Sequence, residues 1–123
     1  MQLGRVMIYV KNLQSMEEFY GSVLGFLPME ETRGANWIEF ETGGGRLALH
    51  SVPAGVAEQI HLSSPPQPRE DNPVKLIFEV DDVAVECRRL QSVGVMILQR
   101  PWGGFDGVDP EGNVFGLYSA AKS

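Results

Sequence analysis

Polar and apolar residues alternate with period two at the start of the chain. Over residues 5–10, Val6, Ile8 and Val10 fall on one side and Arg5, Met7 and Tyr9 on the other, which predicts a strand with one face in a core. The period then lengthens: Met16, Phe19, Tyr20, Val23 and Leu24 form a single stripe at helical spacing and predict a helix over about 16–24. Ser15-Met-Glu-Glu18 reads as its capping box, and Gly25 suits the left-handed position that ends it. Further strands are predicted at 26–31, 36–41 and 46–51, the last two joined through Gly43-Gly-Gly45. The order is β-α-β-β-β.

That order returns in the second half. Residues 75–80 alternate, Asp82 caps a helix with Val83, Cys87 and Leu90 inward, and Gly94 stops it. Strands follow at 95–99, 105–108 and 113–118, with Asp109-Pro-Glu-Gly112 as a type I turn between the last two. Tyr9-Val10-Lys11-Asn12-Leu13 aligns with Glu79-Val80-Asp81-Asp82-Val83, and Leu47-Ala48-Leu49-His50-Ser51 with Phe115-Gly116-Leu117-Tyr118-Ser119. An internal duplication accounts for both alignments. One domain over 1–123 then holds a first module at about 1–52, a Pro-rich connecting loop at about 53–73 and a second module at about 74–123.

Composition narrows the function. The 123 residues carry 10 Lys and Arg against 16 Asp and Glu, a net charge of −6, which argues against nucleic acid as a partner. No run of about 18 apolar residues is present to cross a bilayer, and the first residues lack a signal-peptide pattern, so a cytoplasmic, non-membrane protein is expected. A single cysteine, Cys87, excludes an internal disulfide and any cysteine-cluster metal site, and its place on the inward helical stripe makes it an inert core thiol. Gly43 to Gly45 lacks the Lys-Ser/Thr that a phosphate loop requires. A small molecule is the expected partner.

Glu-Glu-Phe-Tyr-Gly-Ser-Val-Leu-Gly-Phe at 17–26, Phe-Glu-Val-Asp-Asp-Val at 78–83, Pro-Trp-Gly-Gly at 101–104 and Asp-Pro-Glu-Gly-Asn at 109–113 sit within this repeat. Together they are similar to the vicinal oxygen chelate superfamily, the glyoxalase, bleomycin-resistance and extradiol dioxygenase group. The resemblance implies an α+β fold in which two repeated βαβββ modules form a curled mixed sheet around a central cleft, with helices outside. It also implies a homodimer. Enzymes of the superfamily hold a divalent metal at first- and last-strand positions, which fall here on Arg5, Ala48, Lys75 and Gly116. Arg keeps its proton, Lys would have to lose its own, and Ala and Gly carry no donor atom, so no metal is expected there and no cofactor is implied. A relocated divalent metal would have to draw on His50 with Glu39, Glu41 and Glu79.

Strand parity turns a mixed set of side chains toward the expected cleft. The candidate ligand-binding residues are Arg5, Met7, Tyr9, Trp37, Glu39, His50, Lys75, Glu79, Phe105 and Tyr118, with Trp102 added from its loop. Gly107 is assigned to the same face as Phe105. Arg5 and Lys75 either hold an anion or pair with Glu39 and Glu79. Three functions fit: a metal-free binding protein for a small planar or charged compound, a glyoxalase-, isomerase- or dioxygenase-like enzyme with a relocated metal, and an accessory dimeric module with a vestigial cavity. Whether the chain is an enzyme is left open by the sequence.

Overall fold

A computed structural model describes residues 1–120, and the chain packs as two compact units, Met1–His61 and the residues from Leu62 onward. The first unit contains β1 (Val6–Val10), α1 (Leu13–Glu17) continuing as a π-helical segment (Glu18–Val23), β2 (Leu27–Pro28), β3 (Trp37–Glu41), β4 (Arg46–Ser51) and a short α2 (Ala54–Ala57). Its sheet has the order β1-β4-β3-β2, with β1 parallel to β4 and the other pairs antiparallel. The register sets Val6 beside Leu47 and Ile8 beside Leu49, which lies opposite Ile38. These residues share the face covered by the helix, where Met16, Phe19, Tyr20 and Phe40 are buried.

The second unit repeats the arrangement. It contains β5 (Leu76–Val80), α3 (Val83–Ser92), β6 (Met96–Gln99), β7 (Phe105–Val108) and β8 (Val114–Ser119), in a sheet of order β5-β8-β7-β6 with β5 parallel to β8. Leu76 pairs with Phe115 and Phe78 with Leu117, and Cys87 and Leu90 of α3 are buried along with Phe115 and Leu117. Burial raises the Cys87 thiol above its ordinary pKa, with the neighbouring Glu86 acting in the same direction.

Local chemistry departs from the sequence reading at three places. The first helix is capped by Asn12, whose side chain accepts the Ser15 N–H at 3.0 Å, and Ser15 lies inside the helix with its hydroxyl donating to the Asn12 carbonyl. Asp82 caps α3 in the same way by accepting the Val85 N–H at 3.1 Å. Strand 26–31 shrinks to Leu27–Pro28, because a 3₁₀ turn at Glu30–Thr32 follows, closed by the Thr32 hydroxyl on the Met29 carbonyl and clamped by Arg33 on Glu30 and Glu17.

The third departure is the parity of β7. Phe105 pairs with Leu117 and Gly107 with Phe115, so both lie on the helix-facing side of the sheet, opposite to the side assigned from sequence. Gly107 is required there by packing, since an added Cβ would stand 2.3 Å from the Phe115 ring. The residue between them, Asp106, takes the other face.

The Asp109-Pro-Glu-Gly112 turn forms as expected, with the Gly112 N–H on the Asp109 carbonyl at 3.0 Å. Buried Asp109 accepts the Glu111 and Asn113 N–H groups, each at 2.9 Å, which satisfies the turn's own donors. Gly112 has φ +90° and lies against the Pro-rich loop: the Arg69 N–H reaches the Gly112 carbonyl at 2.8 Å, and a Cβ at 112 would meet the Gln67 carbonyl at 2.3 Å. This contact ties the later part of the loop, from Leu62, into the second unit.

Candidate functional site

On the first unit, the face opposite the helix gathers six of the residues proposed from sequence. His50 lies between the rings of Tyr9 and Trp37, at centroid separations of 5.6 and 5.9 Å, because β4 lies between β1 and β3 and the register sets all three side by side. The Arg5 guanidinium lies 5.9 Å from the Trp37 ring centre and pairs with Glu39 at 3.1 Å. Glu39 is 2% exposed; its Oε2 makes no hydrogen bond and has Arg46 at 3.5 Å. Met7 stands opposite Ala48, half-buried.

The corresponding face of the second unit carries a parallel constellation. Asp106 is buried and lies opposite Gly116, as Glu39 lies opposite Ala48. Two cations share the Asp106 carboxylate: Lys75, which precedes β5 as Arg5 precedes β1, at 2.8 Å, and Arg100, also at 2.8 Å. Arg100 holds both oxygens of Glu70 at 2.7 and 2.8 Å and lies 5.8 Å from the Trp102 ring centre. These hydrogen bonds, with the guanidinium charge acting in the same direction, draw the Glu70 carboxyl below the ordinary range. Each unit therefore holds a buried carboxylate, two cations on it, a tryptophan beside one of them, and a small residue opposite.

Lys75 thus pairs with Asp106 and not with Glu79. Lys75 and Glu79 share a face but stand four residues apart on one strand, roughly 13 Å, beyond the reach of an ion pair. Glu79 instead accepts the Tyr118 hydroxyl at 3.0 Å, and that bond raises the phenol above its ordinary pKa. Phe105, proposed as a cleft residue, faces the core. Asp106, Arg100, Glu70 and Arg69 were missed; the sequence signal that points to Asp106 is its place beside Gly116, matching Glu39 beside Ala48 once the strands are paired.

A cavity of about 270 Å³ opens on the second unit, lined by Arg69, Glu70, Asn72, Val74, Lys75, Arg100, Trp102, Asp106 and Val114. The Pro-rich loop supplies one wall. Trp102 is 75% exposed, an unusual condition for a large aromatic side chain.

The four positions that the resemblance assigns to a metal do not fit one. Arg5 and Lys75 are cations bound to buried carboxylates, and Ala48 and Gly116 offer no donor. Among the described residues, no group of three or more His, Cys, Asp or Glu is arranged to hold a metal ion.

A duplicated βαβββ unit with these faces defines a class, and residues 2–117 match the model of the Glyoxalase/Bleomycin resistance protein/Dioxygenase superfamily. The chain belongs to that superfamily. It is 27% identical to the uncharacterized protein YetH of Bacillus subtilis, over 93% of this chain and 94% of that one. Among solved structures it resembles TnmS3, an antibiotic-binding protein from Streptomyces sp. CB03234, with 23% identity, TM-score 0.66 and coverage of 98% and 97%. A glyoxalase/dioxygenase from Nostoc punctiforme has TM-score 0.71 at 16% identity, covering 98% of this chain and 92% of that one. At such identities the structures establish the fold. No helix among the described residues is long and apolar enough to cross a membrane.

Proposed function

We propose that this chain is a metal-free small-molecule-binding protein, acting as a cytoplasmic homodimer that holds a planar or charged ligand against its aromatic and charged sheet faces. One observation carries the reading: in both modules a first-strand position where superfamily enzymes keep a metal ligand holds a cation, Arg5 or Lys75, paired with a buried carboxylate that a second cation also contacts. The aromatic groups beside these clusters, Tyr9, Trp37 and Trp102, give apolar contact area, while the charged groups fix orientation. The antibiotic-binding description of TnmS3 supports the same class of activity. Net negative charge argues against a nucleic-acid partner.

The test is thermal unfolding of the purified protein with a panel of planar compounds of positive, zero and negative charge, beside equilibrium dialysis with nickel, zinc, manganese and iron(II). A bound ligand must raise the melting temperature with its concentration. The reading expects stabilisation by at least one planar compound and no stoichiometric metal. Stoichiometric metal retention that EDTA reverses would transfer the chain to the enzyme class, and a panel without any stabilising compound would remove the binding role.

A further inference from the structure

The cavity of the second unit has a charge preference that its paired groups conceal. Three cations line it, and two are committed: Lys75 and Arg100 share Asp106, and Arg100 also grips Glu70. Arg69 has no carboxylate partner among the described residues. Counting Arg69, Lys75 and Arg100 against Glu70 and Asp106, the lining carries one net positive charge on a chain whose total is −6.

The other lining groups define the shape of what fits. Arg100 is only 15% exposed and fixed by two carboxylates, so it holds the Trp102 indole beside it while leaving most of the ring open. Val74, 60% exposed, and Val114 add apolar wall. The Asn72 side-chain oxygen accepts the Val74 N–H at 3.3 Å, which leaves the Asn72 amide N–H₂ as a donor. Arg69 is tethered at its backbone to Gly112, and its Cγ lies 3.4 Å from where a Cβ at 112 would stand. A volume of about 270 Å³ is at the small end for ligand sites and suits one or two fused rings.

We propose that this cavity binds a small aromatic carboxylate, its ring on Trp102 and Val74 and its carboxylate on the Arg69 guanidinium. The proposal rests on the small-molecule reading above and names the ligand class. A guanidinium matches a carboxylate with two parallel N–H donors, and its charge discriminates against the uncharged amide of the same shape.

Isothermal titration calorimetry with 2-naphthoate, 2-naphthamide and 2-naphthylmethylammonium tests it, on the intact protein and on Arg69→Gln and Trp102→Leu, both at exposed positions. The expected result is naphthoate binding about tenfold tighter than naphthamide. Arg69→Gln should erase that preference with little effect on naphthamide, and Trp102→Leu should weaken both. Equal binding of all three probes, tighter binding of the ammonium compound, or naphthoate binding unchanged in Arg69→Gln would overturn the ligand class and leave the small-molecule reading in place. Failure of all three probes overturns the class as well, and the thermal panel then decides separately whether the binding role survives.

Discussion

Asp106 on β7 stands directly opposite Gly116 on β8, and its Oδ1 lies 3.4 Å from where a Cβ at 116 would be. The absent side chain is what makes room for the carboxylate and for Lys75, whose Cε is 3.3 Å from the same point. Asp106→Ala leaves two cations without their buried counter-charge. It should destabilise the protein by roughly 2–3 kcal/mol in urea unfolding. Glu79→Gln, which alters only the exposed Tyr118 contact, should change the urea midpoint little. Equal effects of the two substitutions would show that the Asp106 cluster is not what holds this face.

Gly107→Ala tests the corrected parity of β7. With the methyl group 2.3 Å from the buried Phe115 ring, the substitution should cost about 1–3 kcal/mol. Adding Phe115→Leu should recover part of that loss, giving a favourable coupling energy in a double-mutant cycle. If position 107 faced away from the core, as parity read from sequence suggests, alanine would be nearly neutral.

The helix caps make a third prediction. Asn12→Ala and Asp82→Ala each remove the acceptor of a first-turn N–H and should each cost about 1 kcal/mol of stability. Ser15→Ala, at the position the capping-box pattern singles out, should be close to neutral, because Ser15 sits inside the helix. Chemical denaturation of the three variants ranks them directly.

A pH dependence follows from Arg33. Its guanidinium bonds Glu17 at 2.8 and 2.9 Å and Glu30 at 2.7 and 2.9 Å, holding both carboxyls below their ordinary pKa. Because the folded-state values are lowered, this contribution to stability is present above the unfolded carboxylate pKa and is lost as pH falls through the folded values. Arg33→Gln should therefore lower the urea midpoint near about pH 7, and the gap from the parent protein should narrow as the pH falls below the unfolded carboxylate pKa of about 4. A gap that persists in acid would mean that Arg33 acts through packing instead.

The duplication, the helix-facing core and the first-unit cluster were all legible in the sequence, because β1, β4 and β5 alternate cleanly and the residues of each strand follow its period. Asn12 was hidden by a competing signal: Ser15 followed by Glu18 has the capping-box pattern, although the alignment of Asn12 with Asp82 already named the true cap. β7 was unreadable for a different reason. Phe105 and Val108 are three residues apart, so they cannot share a strand face, and Asp106-Gly107 between them gives no apolar alternation to choose which side is inward. Only pairing with β8 fixes it. The Lys75–Asp106 partnership and the cavity wall supplied by Arg69 and Glu70 depend on contacts between distant strands and loops, which no local pattern records.

The smallness of Ala48 and Gly116 also limits which side chains these two positions can accept. At Gly116 the space a larger side chain would need is held by Lys75, Asp106 and Ile77, whose atoms stand 3.3–3.4 Å from the first added carbon. A histidine or glutamate placed there would meet a fixed ion pair before it met a metal, and clearing that pair would strand Asp106 in the interior. A donor side chain at 116 therefore requires a second change at Lys75 or Asp106 to be accommodated.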